Sequence, residues 1–298
     1  MAESVSVRVN ATSANVGPGF DSMGVAVAWA DELSVTLAEG LSVEVWGEGE
    51  SVVPRDERHL VVKSLRRGLR AFGHPDPQVG FSLQARNAIP HSRGLGSSAA
   101  AIAAGYGLAW GLARPDEPLD RDAVLQLVSA DEGHPDNAAA VIYGGAVLAW
   151  RRSDRDEYGH VCLELDPGLR AKVWVPRQEL PTATARQVLP EMLSRELVVA
   201  QASRTALLVH ALSGHPELLL EATQDWLHQQ VRGALMPASL ALISALRSAG
   251  VAAVVSGAGP TVLALGTPEQ LGRSDQVASA GFDEHEVSIG SGLEIGVS

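Results

Sequence analysis

The sequence predicts an α+β fold in which antiparallel strands and long helices occur in both halves of the chain. Three observations support this prediction. The chain opens on an alternating strand, a helix of small apolar residues lies in its first half, and its second half combines long helices with strands around a glycine turn. At 298 residues the chain is long enough for one large domain or two modest ones with a substantial core.

The first half is predicted to begin with strands. Residues 4–10 alternate between apolar and polar side chains, which indicates a strand with one buried face. A loop that carries three glycines and a proline is predicted over residues 12–24. Further strands are predicted at 26–29, 33–37, 41–46 and 79–88.

Helices follow in the same half. Residues 60–72 carry apolar side chains at helical spacing. Residues 98–110 are almost all small and apolar, as expected of a helix that is buried on most faces. Asp120 is a suitable N-cap for a third helix, which should end near residues 132–133. The remaining elements of this half are a short helix and a strand, at 138–143 and 146–150.

A charged, non-periodic run at residues 151–160 is predicted to be a solvated hairpin or linker. We place a domain boundary there, which divides the chain into residues 1–158 and 159–298. Strands of the second part are predicted at 162–165, 171–175, 251–255, 261–264 and 286–289. Its helices are predicted at 193–212, 217–227 and 239–249.

Composition narrows the class of protein. The net charge is −12 and no basic stretch compensates for it, so nucleic acid and anionic membranes are not expected partners. The single cysteine, Cys162, excludes an intrachain disulfide and a cysteine-cluster metal site. No apolar run reaches the length of a membrane span, and the N-terminus shows no apolar signal core. We therefore expect a cytoplasmic protein.

The most informative segment is PHSRGLGSSAAA, at residues 90–101. Gly94 and Gly96 allow the backbone to approach a ligand closely, and the helix that follows presents unpaired N–H groups and the positive end of its dipole. A strand precedes the loop, so the context favours an anion site, most often one for phosphate. The predicted cofactor-binding residues are Pro90, Arg93, Gly94, Leu95, Gly96, Ser97, Ser98, Ala99 and Ala100. An exposed loop arginine is the alternative interpretation of Arg93.

Other interpretations of this loop compete. The spacing of Gly94, Gly96 and Ala99 also matches a dinucleotide fingerprint, but that motif needs an acidic residue at the end of a second strand about 20 residues on. Residues 114–122, in that region, are a polar loop broken by proline. A P-loop needs a lysine after its last glycine, and neither of the two lysines lies in a glycine loop. A tight turn before a buried helix is the remaining alternative.

A second group of candidate residues follows the third predicted helix. Glu132 stands at the predicted C-terminus of that helix, where the dipole disfavours a carboxylate, and a residue placed against its local preference suggests function. Because Mg²⁺ prefers carboxylate and phosphate oxygens, Glu132 is the predicted metal ligand. His134 is a candidate general base by its chemistry alone. Asn137 can cap the next helix.

Three segments together resemble a known superfamily. They are residues 90–100, the loop ATSANVGPGFDSMG at 11–24, and VSGAGPTV at 255–262. In this order they resemble the small-molecule kinases that include galactokinase, homoserine kinase, mevalonate kinase and phosphomevalonate kinase. Mevalonate kinase-like members usually carry a lysine soon after the first strand, whereas residues 13–15 here read Ser-Ala-Asn, which resembles the homoserine kinase branch.

The resemblance implies a fold and a reaction. The fold would be the two-domain small-molecule kinase fold, with an N-terminal domain like ribosomal protein S5 and a C-terminal ferredoxin-like domain. The reaction would be ATP- and Mg²⁺-dependent phosphorylation of the side-chain hydroxyl of L-homoserine to O-phospho-L-homoserine, a step of threonine biosynthesis. A homodimer is a further expectation. The alternatives are a kinase of the same superfamily acting on another small alcohol, and a non-catalytic amino-acid or nucleotide sensor on this fold.

The resemblance also assigns roles to individual residues. Ser98 would contact Mg²⁺ together with Glu132. Asn15 and Asn137 would orient the acceptor hydroxyl, and no residue is assigned as the general base. The fallback bases are Asp136 and His134, and His134 would also contact substrate.

The substrate's charged groups need partners of their own. Asp21 suits an amino group, although an Asx-turn is the alternative for Asp21 and Asn15 alike. Elements that resemble S-T-x-x-A-R and L-H-Q-x-x-R of homoserine kinases supply the remaining substrate-binding residues, which are Thr182, Arg186 and Arg232. The chain departs from the usual pattern at Gln201, His59 and Pro181, which puts the substrate contact at 201 and the base contacts at 59 in question.

Overall fold

The computed structural model describes residues 3–298, which form two β-sheets with helices packed against them. The strands are β1 (Ser4–Asn15), β2 (Gly19–Leu37), β3 (Leu41–Gly47), β4 (Phe81–Asn87), β5 (Ala146–Arg151), β6 (Tyr158–Leu163), β7 (Arg170–Pro176), β8 (Ala252–Val255), β9 (Val262–Gly266), β10 (Phe282–Val287) and β11 (Glu294–Val297). The helices are α1 (Leu60–Ala71), α2 (Ser97–Ala113), α3 (Arg121–Glu132), α4 (Asp136–Tyr143), α5 (Thr182–Gln187), α6 (Arg195–Leu212), α7 (Leu219–Ala222), α8 (Pro237–Ser248) and α9 (Pro268–Gly272). The predicted α+β class is confirmed.

The larger sheet has seven strands. Its main path runs in the order β11–β1–β2–β4–β3, and β5 and β6 extend it from the other end of β2. The pairing of β3 with β4 is parallel, whereas the other pairings among these strands are antiparallel. Register shifts between Asn10 and Ala11 and between Ala14 and Asn15 bend β1 where it approaches the glycine turn. These bends direct the end of β1 towards the start of α2, whose loop it contacts through the amide of Thr12 and the carbonyl of Leu95 at 3.0 Å.

Helix α2 lies at the centre of the first half because its residues are small and apolar on every side. Thirteen of its seventeen residues are buried, as the composition of 98–110 predicts. The helix packs closely on α1, since a Cβ at Gly105 would lie 2.6 Å from the Cβ of Ser64. The buried position of α2 fixes where its N-terminus emerges, and that N-terminus is part of the site described below.

The smaller sheet is antiparallel, with strand order β10–β7–β9–β8. A separate core of buried residues, including Trp174, Met236 and Leu246, lies between this sheet and α8. The turn between β8 and β9 projects towards the N-terminus of α2, where the carbonyl of Ser256 would be 2.2 Å from a Cβ on Gly94. The second half of the chain therefore reaches residues 90–96 of the first half, the predicted phosphate loop.

Three local predictions differ from the structure. The separate strands predicted at 26–29 and 33–37 are parts of one continuous strand, β2. The predicted loop at 12–24 is mostly strand, because β1 continues to Asn15 and β2 begins at Gly19, leaving only a three-residue turn. The helix predicted at 217–227 ends at Ala222. Its continuation fails because the carboxylate of Asp225 accepts hydrogen bonds from the backbone amides of Leu227, His228 and Gln229.

Strand pairing crosses the predicted domain boundary at 158/159 twice. Strand β6 pairs with β5, and β11 returns from the C-terminus to pair with β1, so both belong to the larger sheet. The boundary itself stays a prediction. Across residues 3–298, no helix combines the length and apolar character that a membrane crossing requires.

Candidate active site

The phosphate loop takes the geometry that its glycines permit. Gly94 and Gly96 have φ angles of +78° and +68°, and a Cβ on Gly96 would lie 1.9 Å from the hydroxyl of Thr12. The first hydrogen bond of α2 joins the amide of Ala100 to the carbonyl of Gly96 at 2.9 Å. The amides of Ser97 and Ser98 precede that bond, border the cavity and are left for a ligand at the positive end of the helix.

The turn between β8 and β9 holds this loop from the opposite side. The Ser256 hydroxyl donates to the carbonyl of Gly94 at 2.6 Å, and the Gly257 amide donates to the carbonyl of Ala14 at 3.1 Å. The side-chain amide of Asn15 in turn donates to the carbonyl of Gly257 at 2.9 Å. The three motif segments, which are far apart in sequence, therefore meet at one place.

Ser98 and Glu132 are brought together as predicted for a metal pair. The Ser98 hydroxyl donates to the Glu132 carboxylate at 2.5 Å. Helix α3 ends at Glu132 because Gly133 follows in the left-handed conformation, at φ +83°. Burial raises the pKa of Glu132, and the hydrogen bond from Ser98 offsets only part of that effect. This carboxylate is thus poorly solvated and suited to a cation.

The segment after Glu132 forms a compact hydrogen-bonded unit. His134 Nδ1 lies 2.7 Å from Asp136 Oδ1, which also accepts the backbone amide of Asn137 at 2.6 Å. Burial opposes the charged form of His134, but the hydrogen bond and the charge of Asp136 outweigh it and raise the pKa of His134. The hydroxyl of Thr12, a residue of β1, donates to Asn137 Oδ1 at 2.8 Å. This hydrogen bond fixes the orientation of the Asn137 side chain.

Asp21 and Arg186 form a bidentate ion pair, with distances of 2.9 and 2.6 Å. The sequence predicts separate roles for the two, Asp21 with an amino group and Arg186 with a carboxylate. In the structure each already neutralises the other, across 165 residues of sequence. Asn15 and Asp21 have φ angles of +69° and +53°, uncommon for residues other than glycine, and the Asn15 side chain accepts from the Asp21 amide at 3.0 Å.

Arg232 is different because its charge is not paired. The residue is 2% exposed, and its guanidinium donates to the carbonyls of Ala185 and Gly257 at 3.0 and 3.3 Å. Within residues 3–298 no carboxylate oxygen lies within salt-bridge distance of it. Burial lowers the pKa of Arg232 to about 10, so the group is still a cation at neutral pH. A buried cation without a counter-ion favours an anionic ligand.

These groups line one cavity of about 320 Å³. The predicted residues that border it are Asn15, Asp21, Gly94, Gly96, Ser97, Ser98, Glu132, His134, Asp136, Asn137, Thr182, Arg186 and Arg232. Four predicted phosphate-loop residues are instead buried beneath the loop: Pro90, Leu95, Ala99 and Ala100.

Arg93, predicted to contact phosphate, is placed elsewhere. Its guanidinium donates to the carbonyls of His91, Pro176 and Arg177 at 3.0–3.3 Å and borders neither this cavity nor the one beside it. The loop turns Arg93 towards the end of β7, where carbonyls bind it and the carboxylates of Glu48 and Glu179 lie 3.9 and 3.6 Å away. The sequence around Arg93 does not indicate this contact with the end of β7.

A second cavity of about 280 Å³ adjoins the first, and both are bordered by Ser92, Ser97 and Ser98. His59, one of the departures noted in the sequence, lines the second cavity. The two cavities therefore form a continuous surface around the N-terminus of α2.

Sequence reasoning assigned no role to several residues at the site. Phe20 lies 5.6 Å from the guanidinium carbons of both Arg186 and Arg232. His228 Nδ1 lies 3.2 Å from Arg232 Nη1, and its Nε2 lies 2.8 Å from the carbonyl of Gly17. Phe20 belongs to the glycine loop at 11–24, and His228 belongs to the element that resembles L-H-Q-x-x-R. Their place in these two motifs is the feature of the sequence that could have identified them as site residues.

Two departures from the usual pattern have visible consequences. Gln201 spans from the carbonyl of Pro18 to the carboxylate of Asp225, with both distances 2.9 Å, so it supports the glycine turn rather than entering the cavity. Pro181 precedes α5 as its N-cap and offers no side-chain hydrogen bond to it. Thr182 nevertheless borders the cavity.

Comparison with known proteins gives matches along the whole chain. Residues 59–145 match the model of the N-terminal domain of GHMP kinases, and residues 204–281 match that of their C-terminal domain. A homoserine kinase of Cutibacterium acnes is 53% identical over 98% of this chain and 99% of its own length. One of Mycolicibacterium smegmatis is 46% identical over 96% and 92%. The crystal structure of a homoserine kinase from Cytophaga hutchinsonii superimposes with a TM-score of 0.85 at 28% identity, covering 99% of this chain and 98% of the other.

Proposed function

The chain belongs to the homoserine kinase family of the GHMP kinases, and from this premise we propose how its residues phosphorylate L-homoserine. The enzyme transfers the γ-phosphoryl group of ATP to the side-chain hydroxyl of L-homoserine and forms O-phospho-L-homoserine. The observation that carries the proposal is that the N-terminus of α2 and a buried arginine without a carboxylate partner border one and the same cavity.

The phosphates of ATP bind at the N-terminus of α2. The amides of Ser97 and Ser98 donate to phosphate oxygens, while the positive end of the helix stabilises their charge. Gly94 and Gly96 keep this approach free of side chains, since the turn at 256–259 and Thr12 already occupy the space that a Cβ would need. The fixed donors stabilise charge on the transferring group without reorganisation during the reaction.

Mg²⁺ would bind between Ser98 and Glu132. No cluster of three or more His, Cys, Asp or Glu side chains suited to a metal occurs in residues 3–298, so the protein alone supplies a sparse ligand set. That set fits Mg²⁺, which is usually held by one or two carboxylates together with substrate phosphates. When bound, the ion supplies charge neutralisation at the phosphate oxygens.

The substrate's ammonium and carboxylate are bound by the remaining charged groups. Arg232 supplies the cation for the carboxylate, because it is buried without an acidic partner. The Asp21–Arg186 pair complements a zwitterion, since its carboxylate can accept from the ammonium while its guanidinium remains beside the substrate carboxylate. Thr182 at the start of α5 borders the same region.

The acceptor hydroxyl is oriented by Asn15 and Asn137. We assign no protein group as the base that removes its proton. The oxygen Oδ1 of Asp136 is already held by His134 and by the Asn137 amide, which weakens it as an acceptor. The raised pKa of His134 favours its protonated form, which suits charge stabilisation better than proton abstraction. When the transition state of phosphoryl transfer is loose, alignment of the reactants and neutralisation of charge can account for most of the catalysis.

A coupled ADP-release assay tests the proposal. The purified chain, with ATP and Mg²⁺, is given a panel of amino alcohols and isoprenoid alcohols. We expect turnover of L-homoserine far above that of mevalonate or galactose, with the phosphorylated product identified by mass spectrometry. Equal turnover of mevalonate would favour another kinase of the superfamily, and nucleotide binding without any turnover would favour a sensor. The cytoplasmic location and the homodimer stay predictions.

A further inference from the structure

His228 lies behind the candidate active site and takes no part in the proposed mechanism. Its side chain is fully buried and does not border the 320 Å³ cavity. It nevertheless contacts two groups on which the site depends, because its ring lies between the turn that joins β1 to β2 and the guanidinium of Arg232.

These two contacts determine which ring nitrogen of His228 carries the proton. Nε2 lies 2.8 Å from the carbonyl of Gly17, and a carbonyl only accepts, so Nε2 is the donor. Nδ1 lies 3.2 Å from Nη1 of Arg232, and a guanidinium only donates, so Nδ1 is the acceptor. Burial lowers the pKa of His228 and outweighs the opposing charge of Asp225, and Arg232 lowers the pKa further. The neutral ring is therefore the form that satisfies both contacts.

His228 is itself held in place by its neighbours. Its backbone amide donates to the carboxylate of Asp225 at 3.0 Å, and its carbonyl accepts from the backbone amide of Arg232 at 3.1 Å. The ring of Phe20, which borders the cavity, has its centroid 5.4 Å from that of the His228 ring. The ring of His228 thus has little freedom to turn away from Arg232.

The hydrogen bonds of Arg232 leave one of its nitrogens for a ligand. Nε donates to the carbonyl of Ala185 at 3.0 Å. Nη1 donates to His228 Nδ1 and to the carbonyl of Gly257, at 3.2 and 3.3 Å, so both of its N–H groups have partners. Nη2 makes no hydrogen bond within residues 3–298, and it is not among the enclosed polar atoms that lack a partner. Because Arg232 borders the cavity, Nη2 is the nitrogen that can reach a carboxylate there.

We propose that His228 is a positioning residue for substrate binding, whose unprotonated Nδ1 holds Nη1 of Arg232 and so directs Nη2 towards the carboxylate of homoserine. This role rests on the proposed function, because it requires that Arg232 binds that carboxylate. Without an acceptor at Nδ1, a buried N–H of Arg232 would have no partner, and the cost of that state would turn the guanidinium towards another acceptor. The hydrogen bond to Gly17 keeps the ring in place, whereas the hydrogen bond from Arg232 affects the substrate.

Two amide side chains separate the functions of the two ring nitrogens. In His228→Asn an oxygen is attached directly to Cγ, as Nδ1 is, so it can still accept from Arg232 although the bond to Gly17 is lost. In His228→Gln the amide lies one atom further out, as Nε2 does, so it can still donate to Gly17 although the acceptor for Arg232 is lost. We expect the KM for homoserine to rise by about tenfold in His228→Gln and by about threefold at most in His228→Asn. The coupled ADP-release assay should show little change of kcat, or of the KM for ATP, in either variant.

His74→Gln is the matched control. His74 is a buried histidine that borders neither cavity, and its Nδ1 lies 2.9 Å from the carbonyl of Asp76. This variant should leave the KM for homoserine unchanged. Melting temperatures of the three variants reveal any loss of stability, because a merely structural His228 would give KM values that follow the melting temperatures.

Nitrogen-15 NMR of the wild type is a second measurement, and it needs no variant. The ring of His228, assigned through its contact with Phe20, should carry its proton on Nε2 alone at neutral pH. A proton on Nδ1 would overturn the proposal, as would equal KM values for homoserine in folded His228→Asn and His228→Gln. If the wild type failed to bind homoserine at all, the proposed function would fail, whereas normal turnover in the wild type with equal values in both variants would overturn the role of His228 alone.

Discussion

At the scale of single residues, Glu132 illustrates how burial prepares a carboxylate for a metal. It accepts a hydrogen bond from the hydroxyl of Ser98, and burial raises its pKa. Glu132→Gln keeps the shape but removes the charge that attracts Mg²⁺. We expect kcat to fall strongly and the Mg²⁺ concentration for half-maximal activity to rise, while the KM for homoserine changes little.

Another acid of α3 supplies the control for this prediction. Asp122 accepts a hydrogen bond from the hydroxyl of Tyr143 and does not border the cavity. Asp122→Asn should leave the Mg²⁺ response unchanged. A Glu132→Gln variant with an altered homoserine KM and a normal Mg²⁺ response would contradict the division of the cavity into a metal side and a carboxylate side.

Arg232 gives the complementary prediction. Lysine in its place keeps a positive charge but loses the planar fork that reaches the carbonyls of Ala185 and Gly257 as well as a carboxylate. Homoserine binding should weaken by about 1–3 kcal/mol, whereas ATP binding should hold. Steady-state KM values for both substrates measure this. Arg247, a half-buried arginine bonded to carbonyls outside the cavity, is the matched control, and Arg247→Lys should leave both KM values unaltered.

The pKa of Asp31, a residue that borders the second cavity, makes the stability of the fold depend on pH. Burial raises its pKa from 3.8 to about 6, so the folded state binds a proton more tightly than the unfolded chain. The stabilisation from this proton is complete below about pH 4 and is lost as pH rises through about 6. Relative to Asp31→Asn, which cannot titrate, the free energy of unfolding of the wild type should fall by about 3 kcal/mol over that range. Urea unfolding at several pH values measures the difference, and a wild type that gained stability over the variant with rising pH would contradict the assignment.

At the scale of elements, the start of α2 depends on two glycines with positive φ angles. Gly96→Ala would place a Cβ 1.9 Å from the Thr12 hydroxyl, so the loop must shift and ATP binding should weaken by about tenfold or more. Gly40 has a similar φ, +82°, and a Cβ there would meet no atom within 4 Å, which makes Gly40→Ala a control for backbone strain alone. Equilibrium binding of ATP to both variants measures the difference. Wild-type ATP affinity in Gly96→Ala would mean that the loop is only a turn.

At the scale of the whole molecule, the C-terminal strand β11 forms one edge of the larger sheet. Removing residues 291–298 would delete β11, which pairs with Val5–Arg8, and the buried Leu293. We expect the melting temperature to fall by about 10 °C or more, because a core side chain and a strand pairing are lost together. Leu293→Ala in the full chain should give a smaller decrease, which separates the core contribution from the pairing. A truncated protein with the wild-type melting temperature would show that the first half folds without its last strand.

The sequence by itself determined the elements whose information is local. The apolar composition of α2 predicts its burial, Asp120 caps α3 by accepting from the amide of Ala123 at 2.9 Å, and the glycines of the phosphate loop predict its positive φ angles. Glu132 could be selected because a carboxylate at a helix C-terminus opposes the dipole. Each of these properties depends on residues within a few positions of one another, so a single stretch of sequence contains it.

Only the tertiary structure decided which distant groups meet. Asp21 and Arg186 pair across 165 residues, and the turn at Ser256–Gly259 supports Gly94 across more than 160. Neither contact leaves a periodic or compositional pattern, because either residue alone is as compatible with solvent as with a partner. The burial of Arg232 and the return of β11 to β1 have the same origin. Burial and pairing are properties of the assembled fold, and they give these groups their chemistry.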